Sequence, residues 1–252
     1  RETAMTSIDL NCDLGEGAAH DEALMPLITS ANIACGGHAG DRDSMREAVK
    51  LARTYGVAIG AHPGYVDREH FGRRELSLTA TEIFETVREQ IVSMQSIARE
   101  QEVPLTHVKP HGALYTQAAQ SREIADAVVA AINAVDGGLS LFALAGSELI
   151  LAGKDGGLSV VNEVFVDRTY RGDGSLTSRD ELGALIEDVA TGVSQAMSML
   201  CDGVVPTIEG THVPLIADTI CVHGDGDHAV DYARELRAAL LRAGVEILPC
   251  VG

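Results

Sequence analysis

Four apolar runs in this chain stop at a histidine: Asn32–His38, Val57–His62, Thr106–His111 and Thr219–His223. A fifth, Ile8–Asp13, stops at a carboxylate. Helix and strand propensities do not call for histidine at the end of a strand. In a parallel α/β fold, however, the C-terminal strand ends are where residues distant in the chain meet to form a site. The chemistry such a set permits is hydrolytic. An aspartate or imidazole takes a proton from water, while a lysine or imidazole stabilises an oxyanion or protonates a leaving nitrogen.

If the runs are parallel strands, one rim collects Asn11 and Asp13, His38, His62, Lys109 and His111, Glu163 with Asp167 and Arg168, and His223 with Asp225. Asp13, His38, His62, Lys109 and His111 are the catalytic candidates. Asn11, Arg73, Glu163, Arg168, His223 and Asp225 are the substrate-binding candidates. Asp13 also fits as a cap for the turn Gly15-Glu-Gly17, and each histidine fits as a satisfied buried imidazole. Lys109 lies within an apolar run and before a proline, where a surface ion pair is hard to arrange. His107 alternates with it and reads as supporting or core. A divalent metal stays open. Asp13, His62 and His111 would make an acceptable Zn²⁺ or Mn²⁺ set, but no His-x-His or His-Glu-x-x-His spacing supports one. Arg73 and Arg74 read either as a clamp on a substrate carboxylate or as an exposed basic pair. Gly172-Asp-Gly174 and Gly224-Asp-Gly-Asp227 read either as phosphate loops or as plain turns.

The elements that must position these residues alternate from end to end. Strands are predicted near 7–12, 31–35, 57–61, 106–109, 140–145, 158–166 and 218–222. Helical apolar spacing joins Met45, Ala48, Val49 and Ala52, then Ile83, Val87, Ile91 and Met94, then Ile124, Val128, Ala131, Ile132 and Val135. The same spacing from Leu182 through Leu185, Ile186, Val189, Val193 and Ala196 predicts the longest helix. Thr79 with Glu82 and Ser178 with Glu181 read as capping boxes, and Asp41 and Asp227 as N-caps. Residues 63–74 form a βα connection longer than most, and 203–216 read as an added hairpin. Seven strand–helix units without a composition break predict one barrel-like domain over residues 5–252. A doubly wound open sheet is the alternative, weakened by the lack of a Gly-x-Gly-x-x-Gly fingerprint after the first strand.

Composition narrows the partners. With 37 Asp and Glu against 19 Lys and Arg, and a formal net charge of −18, the chain would repel DNA or RNA. Aromatic residues are scarce, so Val, Ile, Leu and Ala are expected to fill the core. The five cysteines include no Cys-x-x-Cys, which points to a reducing, cytoplasmic setting. No segment is apolar enough to cross a membrane, and no signal peptide is read. Residues 1–4 precede Met5 and read as a cloning remnant.

Seven blocks together resemble the LamB/YcsF family of 5-oxoprolinase A subunits. They are residues 9–16, 30–41, 60–65 with 71–74, 107–115, 144–148, 163–168 and 221–225, in the family's order and over nearly the whole chain. Gly37 departs from the pattern, where a bulkier aromatic is expected, and is expected to widen the pocket beside His38. The resemblance implies a distorted (β/α) barrel of about seven parallel strands, like the glycoside hydrolase/deacetylase group. It implies opening of the 5-oxo-L-proline lactam to L-glutamate coupled to ATP hydrolysis, with B and C partner subunits. An unstrained lactam is a poor electrophile, so the coupling to ATP has a chemical reason. The chain itself lacks a Gly-x-x-x-x-Gly-Lys-Ser/Thr loop, which fits a phosphorylation step supplied by partners. A homo-oligomer is compatible with the sequence. The competing readings are a stand-alone metal-dependent amidase or deacetylase, and a non-catalytic lactam-binding subunit.

Overall fold

The structure is a computed structural model describing residues 7–226 and 228–251. Its strands are β1 (Ser7–Leu14), β2 (Ser30–Ala34), β3 (Ala58–His62), β4 (Leu105–Val108), β5 (Ser140–Leu144), β6 (Val160–Phe165), β7 (Val204–Pro206), β8 (His212–Pro214), β9 (Thr219–His223) and β10 (Glu246–Ile247). The helices are α1 (Asp21–Leu24), α2 (Arg42–Tyr55), α3 (Ala80–Glu100), α4 (Gly112–Gln120), α5 (Arg122–Asp136), α6 (Glu148–Asp155), α7 (Val189–Cys201) and α8 (Ala229–Arg242). Strands β1 to β6 and β9 pair in parallel, and β1 closes onto β9. The predicted seven-strand barrel is therefore present, and closure excludes the open-sheet alternative. The hairpin expected at 203–216 is the antiparallel pair β7–β8.

Strand alternation divides the molecule into two kinds of interior. Cys12 and Leu14 of β1 belong to an apolar cluster that includes Met45, Val49 and Ala52 of α2 and Ile83, Val87 and Ile91 of α3. This outer layer is filled by aliphatic side chains, as composition predicts. The intervening residues Asp9, Asn11 and Asp13 are equally buried but polar. Asp9 accepts hydrogen bonds from Thr29 (2.7 Å), Ser30 (2.7 Å) and Thr219 (2.5 Å). The inner face of the barrel is thus a hydrogen-bonded polar network rather than a second aliphatic core.

Helix starts follow the expected chemistry at Asp41 and Thr79, where both reciprocal capping bonds form. Asp227 lies outside the described residues, and the N-cap of α8 is His228. The long helix expected from Leu182 is a correction. Helix α7 begins only at Val189, capped by Asp188, whose side chain accepts from the Thr191 amide. Residues 182–186 instead pair with the chain after β6: Thr169 N donates to Ala184 O at 3.1 Å and Ile186 N to Asp167 O at 2.9 Å. Gly183 takes φ 82°, which no helix continues through. Long-range backbone pairing has overridden a helical apolar spacing, and Leu182 is left exposed.

Candidate active site

Register places the rim residues side by side. Asp13 of β1 stands opposite Asn32 of β2 and His223 of β9, and Ala34 opposite His62. A bulge between Ile59 and Gly60 sets His107 over Gly60, where a Cβ would come within 2.2 Å of the imidazole. The His107 Nε2–H donates to Asn32 Oδ1 at 2.8 Å. Asn32 Nδ2 then donates to Asn11 Oδ1 (2.8 Å) and Asp13 Oδ1 (2.9 Å). Burial pushes the His107 pKa down to about 3, with the Lys109 charge adding to it, so the ring stays neutral and fixes the amide's orientation.

Lys109 sits at the centre of this network and is 2 % exposed. Its ammonium donates to Asp13 Oδ1 at 2.8 Å, to Cys221 Sγ at 3.0 Å and to Asn11 Oδ1 at 3.3 Å, and lies 2.7 Å from Glu163 Oε1. Burial favours its neutral form, but Asp13, Cys221 and Glu163 overrule it and hold the pKa above the ordinary lysine value. Glu163 is fully buried and accepts at Oε2 from the Tyr115 hydroxyl (2.7 Å). With its donors engaged, Lys109 acts on Asp13 rather than on an oxyanion. Burial alone would raise the Asp13 pKa, yet His62 and then Lys109 hold it well below the usual carboxylate range.

Glu16 behaves oppositely. Burial, then the charges of Asp13 and Asp225, push its pKa well above the ordinary value. Its Oε1 lies 3.0 Å from His38 Nε2, 3.4 Å from His111 Nδ1 and 3.7 Å from His62 Nε2. Two neighbouring carboxyl groups with pKa values driven apart are the pattern of an acid–base pair.

The imidazoles are held by the backbone. His62 Nδ1–H donates to Lys109 O at 2.7 Å, and His111 Nε2–H to Phe71 O at 2.9 Å. Each ring therefore directs its remaining lone pair inward, and His62 Nε2 and His111 Nδ1 meet at 3.0 Å. Two acceptors at that distance need a proton or a cation between them. His62 Nε2 is also 3.4 Å from Asp13 Oδ2. His38 stacks on His111 with centroids 3.6 Å apart. Burial, then His62, pulls the His38 pKa down to about 2, and burial, then His38, lowers that of His111. As a neutral acceptor, His111 has no proton to offer an oxyanion.

The same donors suit a metal. Glu16 Oε1, His38 Nε2, His62 Nε2 and His111 Nδ1 lie within 4.8 Å of one another. Their shortest spacings of 3.0 to 3.7 Å bracket the roughly 3.3 Å edge of a tetrahedron with about 2.05 Å bonds to zinc. His38 Nδ1 is buried without a partner, so it is free to take the proton when Nε2 binds a cation. A second group is Asp13, Cys221 and His223, so Asp13 falls apart from the His62–His111 pair with which the sequence groups it.

The loop after β3 closes over this centre. Phe71 and Gly72 both have positive φ (54° and 62°), and a Cβ on Gly72 would lie 2.7 Å from the His38 Cβ. Beyond it opens a cavity of about 790 Å³ whose lining includes Asp13, His62, Lys109, His111, Arg168 and His223. Arg73 reaches across to Asp225 at 2.5 Å, and Arg74 lies 3.4 Å from Asp67. His223 Nδ1 faces Asp167 at 2.8 Å. Asn11 and Glu163 are buried beneath the cavity and support Lys109. His38 lies behind Gly72. Gly37 does not widen the pocket: a Cβ there would sit 2.5 Å from Gln90 Oε1, in space held by the Gln90–Gly64 hydrogen bonds. Asp173 accepts from the Ser175 amide and hydroxyl, which is turn chemistry, and Gly224 packs on Asp13 O. Glu16, Asn32 and Tyr115 were not singled out in the sequence. The glycine-flanked carboxylate three residues after Asp13 was the available signal for the first.

Relatives share this chain throughout. Residues 8–252 match the LamB/YcsF family. Two proteins named as the A subunit of 5-oxoprolinase, from Tolumonas auensis and Bacillus licheniformis, are each 49% identical over 248 residues, covering 96% of this chain and 99% and 98% of theirs. The lactam utilization protein from Thermus thermophilus superposes with a TM-score of 0.90 at 41% identity, over 96% of this chain and 99% of that one. The peptidoglycan deacetylase PdaC from Bacillus subtilis, at 14% identity and a TM-score of 0.51 over 98% and 89% of the chains, shares the fold alone. The chain belongs to the LamB/YcsF family.

Proposed function

We propose that the chain is the A subunit of an ATP-dependent 5-oxoprolinase and hydrolyses the lactam of 5-oxo-L-proline to L-glutamate with B and C partner subunits. The substrate and the subunit role come from the names of its 49% identical relatives. The observation that carries the chemistry is a carboxyl pair with pKa values driven apart, Asp13 in the cavity lining held low and Glu16 held high, with His62 Nε2 3.4 Å from the first and 3.7 Å from the second.

The partners phosphorylate the lactam oxygen at the expense of ATP, making the adjacent carbon electrophilic. Water adds there and gives its proton to the Asp13–His62 side. The ring C–N bond breaks toward nitrogen, which takes a proton from Glu16. The γ-glutamyl phosphate that remains reacts with a second water to give glutamate and inorganic phosphate. Asn32 and Lys109 orient Asp13 and keep it charged, and the loop at Phe71–Gly72 excludes solvent. Arg73 holds the α-carboxylate. If a divalent cation is resident, Glu16, His38, His62 and His111 hold it, and it would supply an acidified water. Five free cysteines suit a cytoplasmic setting.

The test is reconstitution. Purified chain, partner subunits, ATP and 5-oxoproline should form glutamate, and omission of any one should stop it. Amide hydrolysis by the chain alone, without ATP, would replace this reading with that of a stand-alone amidase.

A further inference from the structure

The cavity is far more basic than the chain that contains it. Against a net charge of −18, its lining carries Arg73, Arg74, Arg168, Arg171, Arg179 and Lys109, alongside the acidic Asp13, Glu75, Asp173 and Asp180. Three of these arginines have carboxylate partners: Arg73 with Asp225, Arg74 with Asp67 and Arg171 with Glu181. Among the described residues, Arg168 and Arg179 have none.

Arg168 is the more constrained. It is 5 % exposed, with Nη2 donating to Thr177 O at 2.6 Å and Nε to Ala184 O at 3.4 Å. Both acceptors are neutral carbonyls of the irregular segment between β6 and α7. The adjacent Asp167 is turned to His223. Burial pulls the Arg168 pKa down to about 10, with Arg179 adding to it, and burial, then Arg73, lowers that of Arg179. Asp167, and for Arg179 also Asp225 and Asp13, offset part of this from beyond ion-pair contact, and a bound anion would offset the rest.

The geometry points to a receptor for a phosphoryl dianion formed by Arg168 and Arg179. A single α-carboxylate balances one guanidinium, whereas a dianionic phosphoryl group matches two: the Arg179 fork and the Arg168 donors that Thr177 O and Ala184 O leave free. The cavity is also much larger than one five-membered lactam needs. The assignment rests on the lactam reading above, in which a phosphoryl group enters on the substrate and leaves as inorganic phosphate.

The probe is inorganic phosphate, titrated calorimetrically into the full chain at low ionic strength. Wild type should bind one equivalent. Arg179→Gln, at a partly exposed side chain, should weaken binding at least about tenfold, while Arg234→Gln on the outer face of α8 should change it less than about twofold. Arg168→Lys, which keeps the charge but loses the fork, should also weaken it. Saturating 5-oxoproline should leave phosphate binding in place. Absence of saturable binding, equal losses in Arg179→Gln and Arg234→Gln, or displacement of phosphate by 5-oxoproline would each overturn the receptor. A wild type that forms glutamate with its partners yet binds no phosphate loses only the receptor. One that binds phosphate yet forms no glutamate loses only the lactam reading.

Discussion

Replacing Lys109 by Met removes a buried ammonium while keeping the length of the side chain. The nitrogen lies 2.8 Å from Asp13 Oδ1 and 2.7 Å from Glu163 Oε1. At an effective dielectric of about 20, each contact carries about 6 kcal/mol of Coulomb attraction, and most of it is offset by the desolvation of three charges. Removing one member of such a set costs about 3–5 kcal/mol net, because the carboxylates stay buried without their cation. The loss depends on pH. In the native protein His62 and Lys109 hold the Asp13 pKa below its ordinary 3.8, so this carboxylate adds stability above that pH. Without Lys109 its folded-state pKa rises toward the ordinary value while His62 still lowers it, so part of that contribution is lost above about that pH. The deficit of Lys109→Met should therefore be larger at about pH 6 and above than at about pH 3. Urea unfolding followed by circular dichroism measures it, with an expected midpoint loss of about 1–2 M near pH 8. Adding Glu163→Gln should recover at least about 1 kcal/mol. A deficit that is small, independent of pH or not relieved by the second substitution would refute the charge network.

Four further outcomes follow from the same geometry. Glu16→Gln keeps the shape of the protonated acid but cannot release a proton, so kcat with partners should fall at least about a hundredfold with the fold intact. Because the folded-state pKa of Glu16 is raised, native stability declines as pH rises through it, and Glu16→Gln should gain on wild type with increasing pH in thermal melts. Gly60→Ala drives a Cβ to 2.2 Å from the His107 ring and should cost about 1–3 kcal/mol in denaturant unfolding. Tyr115→Phe leaves Glu163 Oε2 without its 2.7 Å donor and should cost about 1–3 kcal/mol, largely independent of substrate.

The barrel was legible because each site strand announces its end chemically. Asp13, His62 and His223 close apolar runs, and all seven predicted strands appear within about two residues of their expected bounds. The polar interior was also written in the chain, in the alternation of Asp9, Asn11 and Asp13, but composition alone suggested aliphatic filling. Glu16 was hidden by its flanking glycines, which read as a turn until the fold brought three histidines to it. Arg179 fell inside the Ser178–Glu181 pair that read as the cap of a helix, and only backbone pairing across 167–186 reveals its place on the cavity wall. Which nitrogen of each histidine faces inward depends on carbonyls of Lys109 and Phe71, contacts that no spacing rule encodes.

The most direct test of the acid–base assignment is glutamate formation by Asp13→Asn with purified partner subunits, ATP and 5-oxoproline. The expected result is a folded variant that assembles with its partners and forms no detectable glutamate. Turnover near that of wild type would contradict the assignment.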